Sequence, residues 1–190
     1  TPRALSFLGA AWNSRDPEVV AQCAKVAGDV AGPAEELKGL HRHLLEALRH
    51  NSPRAQFFAA ISLGKHKAEE AAPALIELAA NEGSHDPYLR HAAMMGLKGA
   101  LTSDQLAQLH DHESRTVRLA SIVALRNLQS PSVKSFLEDQ DELVLLEAAR
   151  AIHDDQSIPE ALPALAQLLE RPGLTNEALM RRVINAAFRE

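Results

Sequence analysis

Cysteine is nearly missing from this chain: Cys23 is the only one in 190 residues. No intrachain disulfide can form, and cysteine usage says nothing about the compartment. Cys23 falls in an apolar helical register with Val19 and Ala27, so it reads as a small buried hydrophobe and not as a nucleophile. Aromatic residues are scarce at 4%. That scarcity argues against a groove that would hold an extruded base between rings. Positive charge is not in excess either. The net charge of -5 and the pI near 6.0 exclude a basic protein built to neutralise phosphates, so nucleic acid is not an expected partner.

Other absences narrow the chemistry. No apolar run approaches the roughly 18 residues that a membrane span needs. There is no Gly-x-Ser-x-Gly elbow and no Gly-rich phosphate loop, since Gly96 and Gly99 fall inside a helical pattern. The chain opens Thr1-Pro2-Arg3 without a methionine or a signal peptide, which leads us to expect a piece of a longer protein.

What is present is a repeat. Asp16-Pro17-Glu18-Val19, Ser52-Pro53-Arg54-Ala55, Asp86-Pro87-Tyr88-Leu89, Ser114-Arg115-Thr116-Val117, Asp141-Glu142-Leu143-Val144 and Asn176-Glu177-Ala178-Leu179 each precede an Ala-rich apolar run. Their last residues are spaced 36, 34, 28, 27 and 35 apart, the period of stacked helical pairs. Asp or Ser before Pro is an N-cap acceptor followed by the residue best tolerated at the first helical position. Apolar residues then recur three and four apart, as in Leu89, Ala93 and Leu97, in Val117, Ser121 and Leu125, and in Val144, Ala148 and Ile152. Small residues midway predict close helix approach at Ala93, Ala120 and Ala148.

Second helices are expected over residues 35–50, 68–80, 103–110, 131–137 and 159–169. Pro73 and Pro163 should lie near true helix starts, because an interior proline costs about 3 kcal/mol. Gly64 and Gly173 read as helix terminators or turn residues. A last helix over 178–189 is expected to expose Leu179, Val183 and Ala187. These features predict an all-α, right-handed α-solenoid of five to six helical hairpins, with residues 1–190 forming one domain whose terminal pairs are incomplete.

A turn with Asp-Pro, then Val/Leu-Arg, then an Ala-rich and a Leu-rich helix resembles the HEAT repeat. Asp86-Pro87-Tyr88-Leu89-Arg90-His91-Ala92-Ala93 and Thr116-Val117-Arg118-Leu119-Ala120 match it best. The resemblance implies an Asp–Arg ladder between neighbouring turns, here partial, because Val20 and Leu145 stand where Arg90 and Arg118 stand in the better copies. The runs 146–154, 161–166 and 181–189 further resemble the HEAT segment of large multidomain proteins of planctomycetes and verrucomicrobia. Those combine an extracytoplasmic sugar-dehydrogenase-like β-propeller with a c-type cytochrome module. That likeness implies a periplasmic or extracytoplasmic location, with a cytoplasmic one as the alternative. It also places any redox chemistry outside this chain, which has no Cys-x-x-Cys-His to attach haem.

Nine histidines invite a metal hypothesis. His41 and His43 are two apart in a helix and point to different faces. His110-Asp111-His112-Glu113 could offer two imidazoles and a carboxylate, but reads better as a polar turn whose acidic residues cap the next helix. Replacing His110 or His112 by alanine is therefore expected to cost less than about 0.5 kcal/mol. His91 and His153 read as packing or capping residues, and Arg181, Arg182 and Arg189 as a solvated basic cluster. His112-Glu113 is the only His-Glu dipeptide, so a di-iron site on repeated His-Glu pairs fails. We therefore expect no catalytic, cofactor-binding or metal residues and no cofactor. The expected function is a non-catalytic scaffold that binds protein through its second helices, with no small-molecule substrate evident. The alternative is a metal- or cofactor-binding, bilin-lyase-like enzyme.

Overall fold

A computed structural model describes residues 8, 9, 11–154 and 156–189; Thr1-Pro2-Arg3 lie outside the described residues. The protein is all-α, and among the described residues no strand forms beyond a single bridge between His153 and Ser157. Its contacts cluster into two compact units, Thr1–Leu101 and Thr102–Glu190.

The first unit contains α1 (Pro17–Ala27), α2 (Ala34–Leu48), α3 (Pro53–Lys65), α4 (Ala72–Ala80) and α5 (Pro87–Ala100). Its starts are capped as their sequences require. Asp16 accepts from the Glu18 N–H at 2.9 Å, Ser52 from Ala55 at 3.4 Å, and Asp86 from Tyr88 at 2.7 Å. Pro73 sits at the first turn of α4, as expected. α3 packs against α1, α2 and α5, while α4 packs against α5. The core is alanine and leucine, with Ala24, Ala59, Ala60, Leu63, Leu75, Ala93 and Leu97 all sealed from solvent.

Gly64 corrects one expectation, for it does not end its helix. It lies inside α3, where a methyl group on it would come within 2.7 Å of the Met95 carbonyl oxygen. A methyl group on Gly99 would lie 2.0 Å from the Gly64 carbonyl oxygen, so α3 and α5 touch backbone to backbone. The real terminator is Lys67, at φ 53° in the left-handed region. There the Ala68 N–H reaches back to the Leu63 carbonyl at 3.1 Å. Gln129 (φ 51°) closes the first helix of a later pair the same way, with Ser130 bonding Leu125 at 3.0 Å.

The second unit runs through α6 (Ser103–Ala107), α7 (Arg115–Asn127), α8 (Glu142–Ile152), α9 (Leu162–Ala166) and α10 (Glu177–Ala187). Its second helices are tighter than the sequence suggested. Residues Pro131–Glu138 form a 3₁₀ helix, and 3₁₀ turns follow α6 and flank α9. The buried pair Val133 and Phe136 is three apart, the spacing that a three-residue turn aligns on one side. Pro163 stands at the start of α9 and Gly173 occupies a turn at φ 84°, both as expected. Ala120 and Ala148 are buried, and the Ser121 hydroxyl inside the stripe donates to the Val117 carbonyl at 2.9 Å. α10 departs from expectation. Leu179 and Val183 are fully buried against α8 and α9, and the exposed apolar residues are Ile184 and Phe188.

Candidate functional site

Three places in the protein gather side chains that could do chemistry or recognition. In the first unit, His41 on α2 is buried, and its Nδ1 lies 2.6 Å from a Glu70 carboxylate oxygen. Its Nε2 lies 3.2 Å from Nδ1 of His66, the residue that caps α3. Burial pushes the His66 imidazole below its ordinary range, and the neighbouring His41 adds to that shift. Burial disfavours the Glu70 carboxylate, but hydrogen bonds from its own backbone and from His41 prevail and hold it below the usual range. His43 turns away and stacks on Trp12 with ring centres 5.4 Å apart. The two histidines therefore serve opposite faces, as their spacing predicts.

The second place is an apolar groove of about 300 Å³ at the starts of α3 and α5, lined by Pro53, Arg54, Phe57, Phe58, Asp86, Tyr88 and Leu89. Phe57 and Phe58 meet edge to face, and the Tyr88 ring is 75% exposed. Arg54, paired with Glu18 at 3.0 Å, and Lys25 both sit over the Phe58 ring. In a chain so poor in aromatics, three rings on one surface stand out. They lie on first helices, not on the second helices where the sequence placed recognition. The signal was legible: Phe57-Phe58 and Tyr88 follow two proline-marked helix starts 34 residues apart.

The third place is the turn before α7 and its neighbour before α8. His112 and Glu113 present backbone carbonyls to the Arg118 guanidinium at 2.7 and 3.2 Å. Arg118 also donates to Asp139 at 2.7 Å, and Arg115 pairs with Asp141. Asp141 meanwhile caps α8 through the Leu143 N–H at 3.0 Å. Burial works against its charge, yet the Arg115 hydrogen bond and the cap hold its carboxyl below the usual range. This is the Asp–Arg ladder at Arg118 and Arg115, whereas Arg90 donates to the Gly83 carbonyl at 3.3 Å.

The capping expectation for the His110–Glu113 turn changes in detail. The acidic residues do not cap α7; His112 Nδ1 accepts from the Ser114 N–H at 3.0 Å. His50 does the same for Ser52 at 3.0 Å, and the Asp139 carboxylate for Asp141 at 2.8 Å. A polar side chain two residues before the cap position thus recurs as part of the inter-helix turn. His110 is exposed and lies edge-on to Phe136.

His153 is buried and bonds the Ser157 hydroxyl at 2.8 Å, and burial with Arg189 and Arg182 nearby lowers its pKa. His91 is exposed and takes no part in the core. Arg182 pairs with Asp154 at 3.1 Å, while Arg181 reaches only exposed Glu177. Cys23 is buried, and burial pushes its thiol up. Among the described residues no three His, Cys, Asp or Glu side chains converge as a metal-ligand set, and no helix is long and apolar enough to cross a membrane.

Comparison with known proteins agrees with this fold. Residues 41–105 match the family of HEAT repeats. The crystal structure of an engineered protein superposes with a TM-score of 0.50 at 20% identity, over 95% of this chain and 93% of that one. A second engineered protein, also 20% identical, is covered over 57% of its length by 96% of this chain, with a TM-score of 0.46. No curated protein matches the chain. The class is thus an all-α protein of stacked helical hairpins, similar to HEAT repeats over residues 41–105. At this identity the structural likeness speaks for the fold alone.

Proposed function

We propose that this chain is a non-catalytic helical-repeat scaffold that binds a protein segment at the Phe57–Phe58–Tyr88 groove. One observation carries the reading: the largest exposed aromatic side chain and two half-buried rings line a groove rimmed by cations. Large exposed apolar side chains grouped on one surface mark interaction sites, and aromatic anchors carry much of the energy at such sites. Arg54 and Lys25 beside Phe58 favour a partner segment that brings an apolar side chain with an acidic neighbour.

The narrower likeness of the C-terminal runs to multidomain redox proteins, with its extracytoplasmic location, belongs to this proposal as context. The family match ends at residue 105, before those runs, and lends that context nothing. A full-length parent sequence with propeller and cytochrome segments would supply it.

Peptides selected from a display library on the immobilised intact chain test the proposal. Acidic–apolar sequences should be enriched. Their binding should fall by about tenfold or more in the Phe57→Ala, Tyr88→Ala double variant and persist in Tyr88→Phe, the size expected for removing aromatic anchors. Binding indifferent to both rings would defeat the proposed site. Stoichiometric metal, or a haem absorption band in the purified protein, would defeat the scaffold reading itself.

A further inference from the structure

We infer that His41, His66 and Glu70 form an acid-opened latch that fastens α2 to the junction between α3 and α4. The cluster joins three elements: α2 through His41, the cap of α3 through His66, and the 3₁₀ turn Glu69–Ala71 through Glu70. The position of His66 is set by the helix closure described above, since the next residue, Lys67, takes the left-handed conformation that ends α3.

The hydrogen bonds define a chain with one direction. Ionised Glu70 accepts the His41 Nδ1 proton, which makes His41 Nε2 the acceptor of the His66 Nδ1–H. The last atom in the chain, His66 Nε2, is buried with no hydrogen-bond partner. Protonated, it becomes a buried cation beside a second imidazole, 3.2 Å across the shared contact.

The groups around the pair act in both directions. Lys65 adds positive potential at His66, although its ammonium is bound to Asp29 at 2.7 Å. Lys38 acts on Glu70 from α2. The Ala27 and Val30 carbonyls favour the His66 cation, but neither makes a hydrogen bond to Nε2.

The sign follows from linkage. A histidine that is harder to protonate when folded binds more protons once α2 lets go. Its stabilisation is complete above the ordinary value of 6.5 and is lost as pH falls below it. Glu70 stays ionised through this window, because its carboxyl lies below the ordinary 4.5. His66 therefore drives the opening, and through His41 it acts on a second helix of the repeat array.

Amide hydrogen exchange of the intact chain, read by mass spectrometry at about pH 7.5 and about pH 5 and corrected for intrinsic rates, tests this. Peptides of α2 should lose about tenfold in protection in acid, while those of α7, which carries no histidine, hold theirs. In His66→Asn the loss should vanish. In Glu70→Gln, which keeps an acceptor but removes its charge, the loss should begin at higher pH. Unchanged α2 protection in the native chain, or an undiminished loss in His66→Asn, overturns the latch. Should His66→Asn fail to fold, ring-proton NMR of the native chain decides: titration of His66 at or above 6.5 overturns it, and titration below supports it.

Discussion

The two units solve the same packing problem by different means. In the first, α3 and α5 close until backbone meets backbone at Gly64, Gly96 and Gly99, and the arginine and lysine ion pairs Arg54–Glu18 and Lys65–Asp29 are exposed. In the second, alanines line the contact and arginines tie successive turns together. Arg118 and Arg115 reach Asp139 and Asp141, and Arg182 reaches Asp154. Close backbone contact gains dispersion and leaves no space for a side chain. A ladder of charged side chains tolerates looser helices but depends on each buried ion keeping its partner. One repeat pattern therefore carries two kinds of fragility.

The largest effect should come from Gly99→Leu. Its side chain would have to enter the space of the Gly64 backbone, so the cost should exceed the roughly 1–3 kcal/mol usual for overpacking. Ala148→Leu in the second unit, at a fully buried alanine, should fall within that range. Denaturant unfolding followed by circular dichroism orders the two. Equal costs would mean that the glycine contact is no tighter than the alanine one.

Next comes the ladder. Asp139 is 7% exposed, and Arg118 is its partner as well as the donor to two carbonyls. Arg118→Ala should cost about 3 kcal/mol, as expected when a buried ion loses its counter-charge. Arg115 is 57% exposed, so Arg115→Ala should cost no more than about 1 kcal/mol even though Asp141 also caps α8. Adding salt should shrink the second loss and leave the first. A similar cost for both would show that Asp139 is solvated when unpaired.

The smallest effect separates two histidines that the sequence treated alike. His112→Ala removes the acceptor for the Ser114 N–H and should cost about 1 kcal/mol, the worth of a helix-start acceptor. His110→Ala should stay within about 0.5 kcal/mol. Thermal denaturation of the pair is the check, and a larger loss at His110 would tie it to a ligand.

Much of the fold was legible because its signals are local. Asp16-Pro17, Ser52-Pro53 and Asp86-Pro87 each hold the acceptor and the pre-set φ that start a helix, and all three do so in the structure. The ladder at Arg118 was legible only through the resemblance, because its partner Asp139 lies 21 residues further along the chain. Gly64 was misread because a glycine that ends a helix and one that admits a neighbour look alike in one strand of text. α10 was misread because its apolar stripe shows which face is buried without showing what buries it. The aromatic groove was half legible, since its rings follow repeated helix starts.

Helix identity, caps, repeat period and the small-residue stripe were determined by the sequence alone. Each is set by interactions within about four residues along the chain. Tertiary structure alone decided the 3₁₀ form of Pro131–Glu138, where burial of Val133 and Phe136 governs the winding. It also decided the meeting of His41 with His66 and Glu70, partners 25 and 29 residues away. Nothing local favours that meeting. It exists because stacking brings the end of one helix against the middle of another, and burial then gives the pair its chemistry.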